Sequence, residues 1–524
     1  VHIETGAFFF ALAVAVVLAA ATAWVVAGLY RRRMVALMRG GPAPDLAGAA
    51  APAHDPTAPA PYRPGILDLA ANRRAARRQL LALAGLCLAI GLTQSWLALV
   101  FVYDDPDISL NRWLVLGLVY AWPMVLAWGL ARRWPWARVL GGVLAYLAAM
   151  VALVMWRSNE AQTLAGVAGW LSGAVATPIA VTLLIGASGR IRAVAPYLLP
   201  PFLLLATASV LVLQVMAADV NNPPAWLYTL VGHLGARGTI LFFMFVPWLA
   251  LAWPVYRLGR WLAEAYRGKR FSDLAYLFAA YWFVVLVANT LPAVEGAGLA
   301  GLTQLLPWLW LPLAAPALRG WLTSPADPRG GPPTLLVLRV FQRDAAVERL
   351  FDQVVERWRL TGNTVLIAGT DLISRTLDAD DLFAFLNGRL AERFIASEAE
   401  IPRRLAELDL KPDPDGRYRV NESYCFDTTW QAALRALVAA SNVVLMDLRG
   451  FQAGNRGCRF ELDVLAEAAH LRHVVLLFDA ATDRQAAALD LAGAPSDRFV
   501  WIEAGRLDGT KTEKVLGALF GNAA

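Results

Sequence analysis

The sequence predicts a polytopic all-α membrane domain of about nine transmembrane helices, followed by an α/β domain with a mainly parallel sheet. Three observations predict it. The 524 residues are 58% hydrophobic with 20 Trp, well above a soluble average. Residues 1–320 are long apolar runs separated by arginine clusters, whereas residues 334–524 alternate short apolar strands with amphipathic helices. Between the two lies a stretch of chain breakers, 325–333 (PADPRGGPP).

A run of about 20 apolar residues spans a bilayer. Nine such runs are read at 6–30, 80–103, 113–131, 139–156, 164–187, 197–217, 239–256, 274–293 and 299–318. The first ends in Arg31, Arg32 and Arg33 and lacks a basic start, which fits a retained signal anchor over 1–37. Residues 38–79 form a Pro/Ala-rich linker (41–64) and a basic segment; 80–320 hold eight further helices; 321–333 are a second linker.

Arginine placement sets the expected orientation. One set of loops holds Arg31–Arg33, Arg73, Arg74, Arg77, Arg78, Arg132, Arg133, Arg138, Arg190, Arg192 and the 257–270 cluster. The alternate loops hold only Arg112, Arg157 and Arg237. Every loop obeys this alternation, so the N-terminus is expected outside and the C-terminal domain in the cytoplasm of an inner-membrane protein. The stretch 256–273 reads as a helix extending below the bilayer, anchored by positive-inside charge or touching anionic lipid.

The spans carry Gln94, Gln214, Asn289 and Gln304 but no central charge. Ion-coupled carriers ordinarily keep ionisable groups there. Amides more often join helices. A membrane anchor or sensor is therefore the expectation, with a transporter carrying a regulatory domain as an alternative.

In the second half, strands are expected at 335–341, 364–368, 442–447, 473–478 and 498–503. Helices are expected at 345–360, 380–396, 428–440, 459–471 and 510–520, with a short hairpin within 409–425 around 413–416. Apolar strands alternating with helices imply a parallel sheet covered on both faces. Ligands of such sheets sit beyond the carboxyl ends of the strands. That rule selects Arg343 and Asp344 after the first strand, Gly369 and Asp371 after the second, and Asp447 to Glu461 after the third, including Asn455 and Cys458.

Several classes are excluded. There is no GxxxxGK[ST] loop, and no GxGxxG follows the first strand. Residues 334–524 hold 23 Lys+Arg against 28 Asp+Glu, so the domain is acidic and no nucleic-acid partner is expected. Cys87, Cys425 and Cys458 form no CxxC or Cys/His spacing, so neither a metal site nor a structural disulfide is expected.

The run TTWQAALRALVAASNVVLMDLRGFQAGNRGCRFELDVL resembles the second half of Toll/interleukin receptor (TIR) domains. Ser441, Val443 and Val444 match the strand entry, and Cys458, Glu461 and Leu462 match Cys-x-x-Glu-Leu. Asn455 and Gly457 stand where that motif has Ser and Trp. The same run is similar to nucleoside deoxyribosyltransferases through Asp447, Gly457, Glu461 and Leu462. The resemblance covers roughly 40 residues well. It implies a TIR-like, flavodoxin-like fold and cleavage of an N-glycosidic bond, with NAD as substrate rather than cofactor. Glu461 would be the key carboxylate, and Arg343, Asp371 and Asp447 would be ribose, phosphate or base contacts. It also implies a small nucleotide ligand, self-association through the cytoplasmic domain, and a damage- or phage-triggered effector role. The competing readings are a non-catalytic nucleotide-binding module and, for Glu461 itself, stabilisation of a helix first turn. Cys458 reads as a small buried filler more readily than as a nucleophile.

Overall fold

The computed structural model describes residues 5–40, 65–157, 163–186, 189–218, 224–323, 330–340, 344–368, 379–386 and 388–521. The linker 41–64, the residues Arg343, Gly369 and Asp371, and part of the second linker lie outside the described residues.

The N-terminal part is helical: α1 (Thr5–Gly40), α2 (Leu69–Phe101), α3 (Leu110–Tyr120), α4 (Pro123–Arg132), α5 (Trp136–Arg157), α6 (Leu164–Gly186), α7 (Gly189–Ala218), α8 (Ala225–Arg267), α9 (Asp273–Ala297) and α10 (Trp310–Leu322). Among the described residues seven helical stretches are long and apolar enough to cross a membrane, or eight if the bent halves of α6 are one span. The last of the seven, Asp273–Leu322, contains two of the apolar runs read from the sequence. It turns at Gly298, where φ is +61°, a conformation open to glycine without a Cβ penalty. Beyond the turn, the 3-10 segment Gly298–Leu309 lies back against α9: a Cβ on Gly301 would meet the Ala293 backbone at 2.4 Å, and the Trp308 indole donates to the Ala279 carbonyl at 3.1 Å. Side-chain caps begin several helices. Asp68 accepts from the Ala71 N–H at 2.9 Å, and Ser272 accepts from the Ala275 N–H at 3.1 Å, each satisfying an otherwise orphaned donor.

The C-terminal part is one seven-stranded sheet, entirely parallel, in the order β3-β4-β2-β1-β5-β6-β7. The strands are β1 (Thr334–Arg339), β2 (Asn363–Ile367), β3 (Phe394–Ile395), β4 (Val420–Cys425), β5 (Val443–Asp447), β6 (His473–Phe478) and β7 (Phe499–Glu503). Alternate residues of β1, β5 and β6 serve opposite faces, as the two-residue strand period requires. Leu336, Leu338, Val444 and Met446 pack under α14 (Trp430–Ala440) and α15 (Arg456–Glu467). Leu335, Val337, Leu445 and Val475 pack under α11, which begins at Asp344–Leu350 and continues through a π turn to Glu356–Trp358, and under α17 (Gly509–Leu519). The shorter helices α12 (Ala379–Leu386), α13 (Ile401–Ala406) and α16 (Arg484–Asp490) complete the layers.

Three expectations are corrected. The helix expected at 380–396 stops at Leu386, and its last residues, Phe394 and Ile395, form β3. The turn at 413–416 exists, with the Asp413 N–H donating to the Arg417 carbonyl at 2.8 Å, but Val420–Cys425 is no hairpin arm. It is β4, parallel to β2 and β3. The sheet therefore has two more strands than the five expected.

Trp358 anchors one face. It is fully buried, its ring lies 4.8 Å from that of Phe520, and its indole donates to the Asn363 carbonyl at 2.8 Å. Gly362 is required beside it, since a Cβ there would lie 2.6 Å from the indole nitrogen. Trp358→Ala should destabilise the α/β domain by about 3–5 kcal/mol through lost burial and the cavity left behind. Thermal unfolding of the full chain in detergent reads this, and an unchanged midpoint would contradict a packed face.

The two parts meet through polar and apolar contacts. Tyr30 and Met34 of α1 cluster with Phe394, Tyr424 and Phe426, and the Tyr30 and Tyr424 hydroxyls are 3.3 Å apart. Asn72 of α2 donates to the Arg357 carbonyl at 2.7 Å. Lys269, after α8, pairs with Asp409 at 2.8 Å.

Candidate site at the switch point of the sheet

The chain runs outward from β1 through β2 towards one edge, then returns to β5 and runs through β6 to β7. The order reverses between β1 and β5, and in open parallel sheets the crevice beyond the carboxyl ends of such a strand pair is the ligand site. Arg339 ends β1 and Asp447 ends β5, in register with each other. Both are buried.

Glu461 lies near enough to Arg339 to feel its charge. It projects from the buried face of α15 together with Cys458, Leu462 and Leu465, the three-and-four spacing of one helix stripe. It is 6% exposed, and its Oε2 has no hydrogen-bond partner among the described residues. Burial pushes its carboxyl up to about 8, while the Arg339 guanidinium pulls in the opposite direction. The expected first-turn position is corrected: α15 starts at Arg456, so Glu461 is in the second turn, where the helix dipole gives little support. The structure therefore offers no capping role for this carboxyl.

Asp447 is held by its neighbour. Arg449 Nε and Nη2 donate to its two oxygens at 2.7 and 2.5 Å, and Arg449 Nη1 reaches the Ala504 carbonyl at 3.2 Å. This bidentate pair fastens the end of β5 to the chain after β7. A ligand at Asp447 would have to share oxygens already committed to Arg449. Asn455 accepts from the Gln452 N–H at 2.7 Å and shapes the turn leading into α15. The loop before it is tied to the loop after β6, where Asp479 accepts from the Gly450 N–H at 2.9 Å and the Thr482 hydroxyl donates to the Leu448 carbonyl at 2.9 Å. Cys458 is buried, and burial followed by the Glu461 charge pushes its thiol up to about 12, so it is no thiolate at neutral pH. Asp344 is the first residue of α11.

Of the residues selected from the sequence, the structure thus brings Glu461 and Cys458 together on the buried face of α15, with Glu461 near enough to Arg339 to feel its charge, whereas Asp447 is in phase with Val443 and Leu445, which serve the opposite face of the sheet. Arg339 was missed. It belongs to the run LLVLRVF, where a single cation interrupts an otherwise apolar strand, and that interruption was the available signal. Its Nη1 donates to the Ile367 carbonyl at 3.4 Å, linking the ends of β1 and β2.

A concavity of about 450 Å³ elsewhere is lined by Tyr103, Arg112, Arg157 and Trp170, all in the helical N-terminal part. No protein-family model, curated protein or solved structure matches the chain.

Proposed function

We propose that this is a nine-span membrane sensor or effector whose cytoplasmic, TIR-like and flavodoxin-like domain binds a nucleotide and cleaves the nicotinamide–ribose bond of NAD with Glu461. The observation that carries the reading is a buried carboxyl beside Arg339, at the end of β1 where the strand order of the parallel sheet reverses, with one oxygen unpartnered among the described residues. An isolated buried carboxyl opposes folding, and groups of that kind gather at functional sites. The count of nine treats α6 as one span and the folded-back stretch 273–322 as two. The arginine alternation supports a cytoplasmic C-terminal domain of an inner-membrane protein.

The chemistry follows from charge. Departure of nicotinamide takes the bonding electron pair with it and leaves an oxocarbenium-like ribose. A carboxylate beneath C1′ stabilises that cation or captures it, and water completes hydrolysis to ADP-ribose. Glu461 must be ionised for this. The cationic nicotinamide ring of bound NAD favours the ionised form, as any nearby positive charge does. The runner-up, a nucleotide-binding or self-associating module without turnover, is favoured by the engagement of Asp447 with Arg449. The test is nicotinamide release from NAD by the full-length protein in detergent. Release supports the enzyme. Saturable NAD binding with no release would favour the module.

A further inference from the structure

We propose that the junction between the membrane helices and the α/β domain holds a binding site for an acidic phospholipid. This inference is independent of the chemistry assigned to Glu461. A cavity of about 840 Å³ opens where α8 and α10 end, against β4. It is lined by seven Lys/Arg and three Asp/Glu side chains, a marked cationic excess.

Not all of that charge is already compensated. Lys269 pairs with Asp409 at 2.8 Å, and Arg419 pairs with Asp413 at 3.0 Å. Arg404 reaches Glu407 at 3.4 Å and also the Phe394 carbonyl. Arg319, in the last turn of α10, and Lys411 are both exposed. Neither has a carboxylate within ion-pair distance among the described residues. Two cations lining a common cavity without counter-charges among the described residues suit a phosphodiester, whose oxygens take charge-assisted hydrogen bonds.

A second cavity identifies the rest of the ligand. About 620 Å³ in volume, it lies between α7, α8 and α12 and is walled by Leu198, Phe202, Leu205, Val255, Leu382 and Leu386, with Arg260, Glu264 and Arg389 also lining it. Arg267, the last residue of α8, lines both cavities. A mainly apolar groove at the ends of α7 and α8, closed on one side by α12, therefore meets a cationic chamber. An acyl chain in the groove and an anionic headgroup in the chamber satisfy both, which neither a free phosphate ester nor a neutral lipid does. Basic pockets at this depth recognise acidic headgroups by the same physics.

The experiment is native mass spectrometry of the full-length protein in mild detergent, titrated separately with phosphatidylglycerol, phosphatidylcholine and glycerol phosphate. Phosphatidylglycerol should be retained selectively. Arg319→Gln and Lys411→Gln should each weaken retention by about fivefold, the effect of one surface cation on acidic lipid. Arg237→Gln, at the other end of α8, should leave it unchanged. Both test positions are exposed, so folding should survive, and an unchanged gel-filtration profile checks this. Leu205→Trp, which fills the apolar groove, should also lower retention. Equal retention of the two lipids, or wild-type retention by both charge variants, would overturn the proposal. Displacement of phosphatidylglycerol by glycerol phosphate at equal concentration would overturn the lipid source in favour of a soluble phosphate ester.

Discussion

Glu461→Gln should lower nicotinamide release by a hundred- to a thousandfold, on the order expected when one group stabilising developing charge is lost. Binding of NAD and folding should both survive. Glutamine matches glutamate in shape, and a carboxyl raised to about 8 is mostly protonated at neutral pH, so the exchange changes little in the resting protein. The pH dependence carries the sign of the effect. Below the ordinary value of 4.5 the carboxyl is protonated in both folded and unfolded chains. Between 4.5 and about 8 the unfolded chain binds fewer protons than the folded one, so wild-type stability falls as pH rises; above about 8 the loss is complete. Each unit of that interval corresponds to about 1.4 kcal/mol. The glutamine variant lacks this slope, so its unfolding midpoint relative to wild type should climb over the same interval. For activity the trend reverses: kcat/KM of the wild type should rise with pH and level off above about 8, because the reacting form is the carboxylate. A variant with wild-type turnover would remove Glu461 from the chemistry. Parallel stability curves would mean that the carboxyl is not isolated as the structure places it.

Much of the architecture was legible because it rests on patterns the solvent imposes. Apolar runs of membrane length and all-apolar strands such as VVLM and HVVLLF leave little choice of environment. β4 was missed for the opposite reason. Its sequence, VNESYC, is polar and reads as a loop. Neighbours make it a strand: Asn421 donates to the Asp409 carbonyl and accepts from its N–H, while Tyr424 and Cys425 are buried. β3 was hidden inside an apparent helix because two residues cannot show a period. The candidate site was legible as a place, since strand ends follow from strand assignments, and Glu461 was legible from its motif. Its isolation was not, because that depends on where α15 begins. A start three residues earlier than expected moves the carboxyl out of the first turn, where the dipole would have stabilised it.

Glu356→Gln should be the most damaging charge substitution at the junction of the two parts. Glu356 lies among three guanidiniums, Arg359 at 2.8 Å, Arg417 at 3.0 Å and Arg133 at 3.2 Å. Arg417 continues to Asp415 at 2.9 Å, whose carboxylate accepts from the Ser272 hydroxyl at 2.7 Å. A single chain of charges therefore joins the end of α4, the end of α11 and the cap of α9. Burial alone would raise the Glu356 carboxyl; Arg359, Arg133 and Arg417 outweigh it and hold the group well below the usual carboxylate range. Removing the negative charge leaves Arg359, 8% exposed, without a carboxylate partner among the described residues and Arg417, 4% exposed, with Asp415 as its remaining counter-charge. Breaking a buried pair in this way costs about 3–5 kcal/mol, and the partial exposure of Arg133 and Glu356 favours the lower end. Because the folded carboxyl is depressed, its contribution is complete above 4.5 and is lost as pH falls towards the folded value. The variant and wild type should therefore differ most near neutrality and converge in acid. Arg133→Ala, which removes one of three partners at the most exposed corner, should cost only about 1 kcal/mol. Thermal unfolding of the full chain in detergent at pH 7 and at pH 2, well inside the window between the unfolded and folded values, distinguishes these cases. A Glu356→Gln midpoint equal to wild type at both would show that solvent, not this carboxylate, compensates the three arginines, and the mechanical link between membrane helices and sheet would then rest on other contacts, among them Tyr30–Tyr424, Asn72–Arg357 and Lys269–Asp409.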